Sequence, residues 1–251
     1  MRWIPVCVMA WLLGQPSQPA DLSILDQADP GKIRVLIITG GHDFERDAFF
    51  DMFNANEEIV WVEAIHPEAN VLYTPEASAR FDVIVLYDMV QAIGDEQKAN
   101  LVRLLKDDGK GLVALHHSIA NYQDWPEYAA IVGGRYFLED RTVDGVAYKK
   151  STWDHDQHFR VTVADPAHPI AKGVSDFDIE DETYNLFFPV PEATPLLTVD
   201  HPLSAKVIGW THTYGKARCA YIQLGHGPTA YANPNFRALV GNAIRWASAK
   251  D

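Results

Sequence analysis

The chain has 251 residues, 47% hydrophobic and 22% charged, an ordinary globular composition sufficient for one large domain or two small ones. Its 34 acidic and 21 basic residues give a net charge of -13, and a surface that negative repels phosphate backbones and anionic lipid, so neither nucleic acid nor a membrane surface is expected as a partner. Two cysteines, Cys7 and Cys219, exclude a Cys-rich zinc site or a disulfide scaffold.

In chain order, Met1-Arg2, an apolar stretch over 3–14 and a Pro/Ser-rich segment ending at Ala20 resemble a secretory signal peptide over residues 1–20. The apolar core is too short to span a bilayer, which takes about 20 residues. An exported protein, periplasmic or extracellular and without a stable membrane span after processing, is the expectation; a disordered or tethered N-terminus is the alternative.

From residue 33 the chain alternates between strands and helices. The β-branched run 33–39 predicts a strand buried on both faces, followed by Gly40-Gly41-His42-Asp43-Phe44 and a helix over about 46–56. Residues 59–64 and 83–87 predict further buried strands. Residues 95–108 predict a helix with an acidic first turn, an apolar face of Leu101, Val102, Leu104 and Leu105, and Gly109 as its stop. Residues 111–115 form the next strand and run into His116-His117-Ser118. This alternation predicts a parallel sheet with helices on both faces. The segment 145–225 is richer in strand and turn signals, including 159–164, 195–199 and a hairpin of 206–210 with 218–224, and 235–249 predicts a closing helix. One α/β domain over 31–249, with extra strands in its second half, accounts for the pattern.

Ligands of open parallel sheets bind beyond the carboxyl ends of the strands. Three histidine-bearing segments fall at such ends: His42-Asp43, His116-His117, and His226 between two glycines. Histidine serves as acid, base or metal ligand near neutral pH. Two further segments carry candidate chemistry. In Trp153-Asp154-His155-Asp156-Gln157-His158 a dense Asp/His cluster suits a divalent metal. Neighbouring strand residues face opposite ways, however, so a turn with capping carboxylates and one inward histidine is the plainer expectation. In Asp181-Glu182-Thr183-Tyr184-Asn185, a polar interruption between apolar runs, Glu182 is either a base or ligand or a solvated loop acid. His212 lies at the far end of the predicted hairpin from His226, which excludes it from the same site. Cys219, inside an apolar run, reads as a buried hydrophobe.

The segments Gly40-Gly41-His42-Asp43-Phe44, Leu115-His116-His117-Ser118, Asp181-Glu182-Thr183-Tyr184 and Leu224-Gly225-His226-Gly227 occur in order. With the motif around His168-Pro169 and the segment from Trp210 to Lys216, the set resembles the trehalose-utilisation ThuA-like family over most of the chain. The resemblance implies a flavodoxin-like, class-I glutamine-amidotransferase-like parallel sheet flanked by helices. It places His116 where amidotransferases carry their nucleophilic cysteine, and His226 at the amidotransferase histidine. Without a thiol at 116, thioester chemistry and amide transfer from glutamine are excluded. The family association implies a small-molecule sugar substrate, a trehalose-type disaccharide or glycoside or its 3-keto form, and proton transfer beside a carbonyl. The expected catalytic residues are His116, His226 and Glu182, and the expected substrate-binding residues His42, Asp43, His117, Tyr184 and Trp153. No cofactor is required by the motifs; a divalent metal such as zinc is compatible with His42, His116, Glu182 and His226 as ligands. Tyr122, Trp125 and Tyr136 join Trp153 and Tyr184 as candidate stacking faces for a sugar. The rival expectation is a non-catalytic carbohydrate-binding or interaction module on the same scaffold.

Overall fold

The structure, a computed structural model, describes residues 20–250; the expected leader, residues 1–20, lies outside the described residues except for Ala20. Nine strands make one sheet: β1 Ile33–Gly40, β2 Ile59–Ile65, β3 Val83–Asp88, β4 Gly111–Leu115, β5 Thr152–Val163, β6 Phe177–Asn185, β7 Thr194–Val199, β8 Val207–Tyr214 and β9 Ala217–Ile222. Their order is β2-β1-β3-β4-β9-β8-β7-β5-β6. The first five positions are paired in parallel and the rest antiparallel. Parallel strands require covered faces, and β3 and β4 are buried along their whole length.

The cover comes from helices with apolar faces. Phe49, Met52 and Phe53 are buried from helix Arg46–Asn54, and Leu101, Leu104 and Leu105 from Asp95–Lys106. Phe236, Leu239, Val240 and Ile244 are buried from Pro234–Ala247, whose first turn is capped by Asn233, with Oδ1 accepting from Asn235 N at 2.9 Å. Among the described residues no helix is long and apolar enough to cross a membrane.

The second-half strands extend this same sheet. The hairpin turns at Gly215-Lys216, with Tyr214 opposite Ala217, but β8 continues to Tyr214, four residues beyond the expected end. Two segments differ in kind from expectation. Residues 153–158 are part of the long strand β5, interrupted by a bulge, not a turn before it. Residues 181–185 are the end of β6, buried as far as Tyr184, and not a loop. The alternation in β6 is regular over Phe177 and Ile179, with Asp178 exposed and Glu180 half-buried between and beyond them; it fails where Asp181, Glu182, Thr183 and Tyr184 are all buried, because there polar partners replace solvent.

Candidate functional site

The parallel strands end along one rim, and two glycines shape the turns there. Gly41 has φ +77°, and a Cβ at this position would meet the Met89 carbonyl oxygen at 2.1 Å, so only glycine lets the chain turn from β1 into His42. Gly225 has φ +110°, with Phe236 at 2.7 Å from its virtual Cβ, and it aims His226 back over the sheet. His116 follows β4 directly with φ +50°, a left-handed conformation that is costly for a non-glycine residue and recurs at functional sites. The rim histidines meet: ring centroids are 4.5 Å apart for His42–His117, 5.3 Å for His116–His226 and 6.5 Å for His42–His226.

Strand β6 reaches this rim although it is the far edge of the sheet. Gln223 Nε2 donates to the Glu182 carbonyl at 2.7 Å, and Asp181 accepts from Gly225 N at 2.7 Å and His226 N at 2.9 Å. Asp181 thereby holds the turn that carries His226. Burial pushes its carboxyl up against the opposing pull of His116 and these N–H groups.

Glu182 is the hub. Its Oε2 lies 3.0 Å from His116 Nε2 and 3.3 Å from His226 Nδ1, and its Oε1 lies 3.1 Å from His155 Nδ1. Burial would raise the Glu182 carboxyl, but hydrogen bonds to His116 and His226 outweigh it and hold the group well below the usual carboxylate range. In return the bond to Glu182 raises His226 above the ordinary histidine value. His116 Nδ1 is 2.6 Å from the Gln223 carbonyl oxygen, which can only accept, so this nitrogen carries the proton and Nε2 faces Glu182, His226 at 3.2 Å and the Tyr184 hydroxyl at 2.9 Å. Burial keeps the Tyr184 phenol protonated by pushing it well up.

A cavity of about 540 Å³ opens beside this cluster, lined among others by His42, Asp43, His117, Tyr136, Trp153, His155, Glu182, Tyr184 and His226. Its size suits a small organic ligand. All eight of the expected site residues are thus gathered here, with one distinction. His116, whose side chain is 1% exposed, stands behind the wall, against the cavity-lining Glu182, His226, Tyr184 and His117. His117 Nδ1 donates to the Asp88 carbonyl at 3.2 Å, its Nε2 is buried without a partner, and burial holds it well below the ordinary value, hence neutral at pH 7. His42 borders the cavity but is outside the set of donor atoms within 4.8 Å of one another, which comprises His116, Glu182 and His226. Among the described residues, those three form the group whose donor atoms lie close enough together to hold a metal ion.

Tyr122 and Trp125 pack with Tyr128 away from the cavity and offer it no face. His212 Nε2 contacts the Ala130 and Ile131 carbonyls, remote from the rim. Cys219 is 1% exposed and burial pushes its thiol up to about 12, which leaves it inert. His155 was one member of the Asp/His run, not distinguished in sequence from its neighbours. The bulge between Asp154 and Gln157 sets His155 and Asp156 opposite the single residue Glu182, whereas His158 faces Glu180 on an exposed stretch.

The comparisons agree on the fold. The family model described as ThuA, trehalose utilisation, matches residues 34–247. A ThuA-like protein from Parabacteroides merdae superposes with a TM-score of 0.73 at 18% identity, covering 87% of this chain and 90% of its own. One from Bacteroides uniformis gives 0.65 at 19%, with 93% and 95% covered. The Salmonella typhimurium protein STM3548, described as cytoplasmic, gives 0.60 at 13%, with 86% and 99% covered. No curated protein matches the chain in sequence.

Proposed function

Because the chain belongs to the ThuA family of trehalose utilisation, we propose that it acts on a disaccharide or glycoside of the trehalose type, in its 3-keto form, by histidine acid–base chemistry. The observation that carries this reading is one carboxylate, Glu182, holding two cavity-facing imidazoles, His155 on Oε1 and His226 on Oε2.

A ketone at carbon 3 acidifies the hydrogen on carbon 2 and makes the glycosidic oxygen on carbon 1 a leaving group. Elimination needs a base for that hydrogen, a donor at the developing enolate oxygen and a proton for the departing oxygen. With Nδ1 tied to Glu182, His155 presents its other nitrogen to take the carbon-2 proton and return it to the leaving oxygen. His226, raised above the ordinary histidine value by Glu182, supplies a positive hydrogen-bond donor for the enolate oxygen, and the Tyr184 hydroxyl a neutral one. The atoms balance: one carbon–hydrogen and one carbon–oxygen bond break, a carbon–carbon double bond forms, and the proton leaves with the released sugar. His116, behind the wall, orients Glu182 and His226. Trp153, 52% exposed and 4.4 Å from the His155 ring, and Tyr136 offer faces to a pyranose.

We place this activity outside the cytoplasm on the strength of the signal-peptide pattern in residues 1–20; mass spectrometry of the mature N-terminus tests it, and an intact Met1 in the secreted protein overturns it. The activity is tested by incubating the protein with 3-keto-trehalose and with trehalose. Turnover of the keto-sugar that falls at least about 100-fold in His226→Ala, with the fold intact, is the expected result. Saturable binding without product, unchanged by that substitution, would make the chain a carbohydrate-binding module.

A further inference from the structure

We propose that His116, Glu182 and His226 form a three-ligand site for a divalent transition-metal cation such as zinc, with the open coordination position turned towards the cavity. The inference rests on donor geometry; with metal bound, the cation would take the place of the Nδ1 proton of His226 and supply the positive charge at that point.

The three facing atoms, His116 Nε2, Glu182 Oε2 and His226 Nδ1, form a nearly equilateral triangle with sides of 3.0, 3.2 and 3.3 Å. Tetrahedral zinc with bonds of about 2.0–2.1 Å separates its donors by about 3.3–3.4 Å, so the triangle needs only a slight expansion. Two imidazoles and one carboxylate form a donor set that suits zinc and its neighbours. Calcium and magnesium prefer all-oxygen shells.

Each ligand is already oriented by a second group, as metal sites require. The Gln223 carbonyl holds the Nδ1 proton of His116, so Nε2 is the nitrogen that would give up its proton to a metal. His155 Nδ1 holds the far oxygen of Glu182 at 3.1 Å. Asp181 fixes the turn that carries His226 by accepting from Gly225 N and His226 N. The ligands come from three separate places, the end of β4, strand β6 and the turn after β9, and converge without rearrangement. The site also gives a reason for the position of His116. A side chain 1% exposed cannot touch a sugar, yet its left-handed backbone aims it at the point where the other two donors meet. Glu182 and His226 border the cavity, so the fourth position faces ligand-accessible space.

The test uses the full-length chain, purified without an affinity tag, stripped with EDTA and titrated with zinc alone by calorimetry, with metal content measured by mass spectrometry. About one zinc per chain and a raised thermal midpoint are expected. Glu182→Gln, which is nearly isosteric, and His226→Ala should each weaken binding more than about 100-fold, beyond the 10–100-fold typical of an outer-shell partner. His158→Ala, on the exposed part of β5, should leave it unchanged. Circular dichroism confirms folding of each variant. Absence of zinc binding in the wild-type protein overturns the proposal, as does binding that survives both Glu182→Gln and His226→Ala or that His158→Ala abolishes.

Discussion

His155 Nδ1 lies 3.1 Å from Glu182 Oε1 across the β5–β6 ladder. The contact exists because the bulge adds one residue to β5, with Asp156 at φ +56° taking up the slack. The neighbouring side chains Asp154, Asp156 and His158 do not line the cavity. His155→Ala should therefore lower turnover of 3-keto-trehalose about 100-fold or more, the scale of a lost general acid or base. Its side chain is 45% exposed, so the thermal midpoint should barely move. Unchanged turnover in a folded variant would remove His155 from the chemistry.

Glu182→Gln also has a signature in pH. In the metal-free protein, the hydrogen bond to Glu182 is the main cause of the raised value of His226. His226 therefore stays protonated to a higher pH than an ordinary histidine, and an activity that needs its charge is lost only as pH climbs past that raised value. In metal-free Glu182→Gln the support is gone, so the basic limb should move to lower pH. NMR titration of the His226 ring gives the direct readout, and a value unmoved by the substitution would contradict the hydrogen-bonded arrangement.

The parallel half of the sheet and its rim histidines were legible because fully buried strands leave continuous β-branched runs and their ends are marked by Gly-His or His-His. The rest depended on long-range contact. Glu182 sits in a stretch whose polarity reads as a loop; burial of Asp181 and Glu182 becomes intelligible only once Gly225, His226 and His116 are seen as their partners. His155 was hidden for a related reason: the two-residue period of a strand gives no sign of the bulge that pairs it with Glu182. The recession of His116 behind the cavity wall is likewise a matter of ångströms, not of pattern.

Asp181 should act through position. Its two oxygens accept from the buried backbone of Gly225 and His226, and a buried N–H left without an acceptor costs about 1–3 kcal/mol. Asp181→Ala should thus destabilise the protein by about 3 kcal/mol. Asp181→Asn, which keeps one acceptor oxygen, should cost less. Turnover should fall in the same order, with kcat affected more than KM because the displaced His226 leaves the sugar platform intact. Denaturant titration and steady-state kinetics check both, and an Asp181→Ala protein as stable as wild type would refute this role.

Trp153 should matter for binding and little for stability. It is 52% exposed, and its ring leans on His155 at the cavity edge. A sugar face stacked on an exposed indole gains about 1 kcal/mol, which corresponds to a five- to tenfold change in affinity. Trp153→Ala should raise KM by about that factor and leave kcat and the unfolding midpoint near wild type. A loss confined to kcat would place the indole in the chemistry instead.

The acid stability of the fold should depend on a carboxylate far from the cavity. Asp82 accepts from Arg34 N and Nη2, each at 2.9 Å, and from Lys250 Nζ at 2.7 Å, tying the start of β1 to the chain's last turn. Burial opposes ionisation, but these bonds prevail and hold Asp82 at about 2, against an ordinary value of 3.8. Because the folded value lies below the unfolded one, the stabilisation is complete above about pH 4 and is lost as pH falls towards 2. A difference of nearly two pH units corresponds to about 2 kcal/mol, with little solvent screening for a side chain 13% exposed. Asp82→Asn should therefore lower unfolding free energy by about 2 kcal/mol at pH 7 and by much less at pH 2.5. Urea titrations at the two pH values decide it: an equal penalty at both would mean that Asp82 contributes through packing and not through its charge.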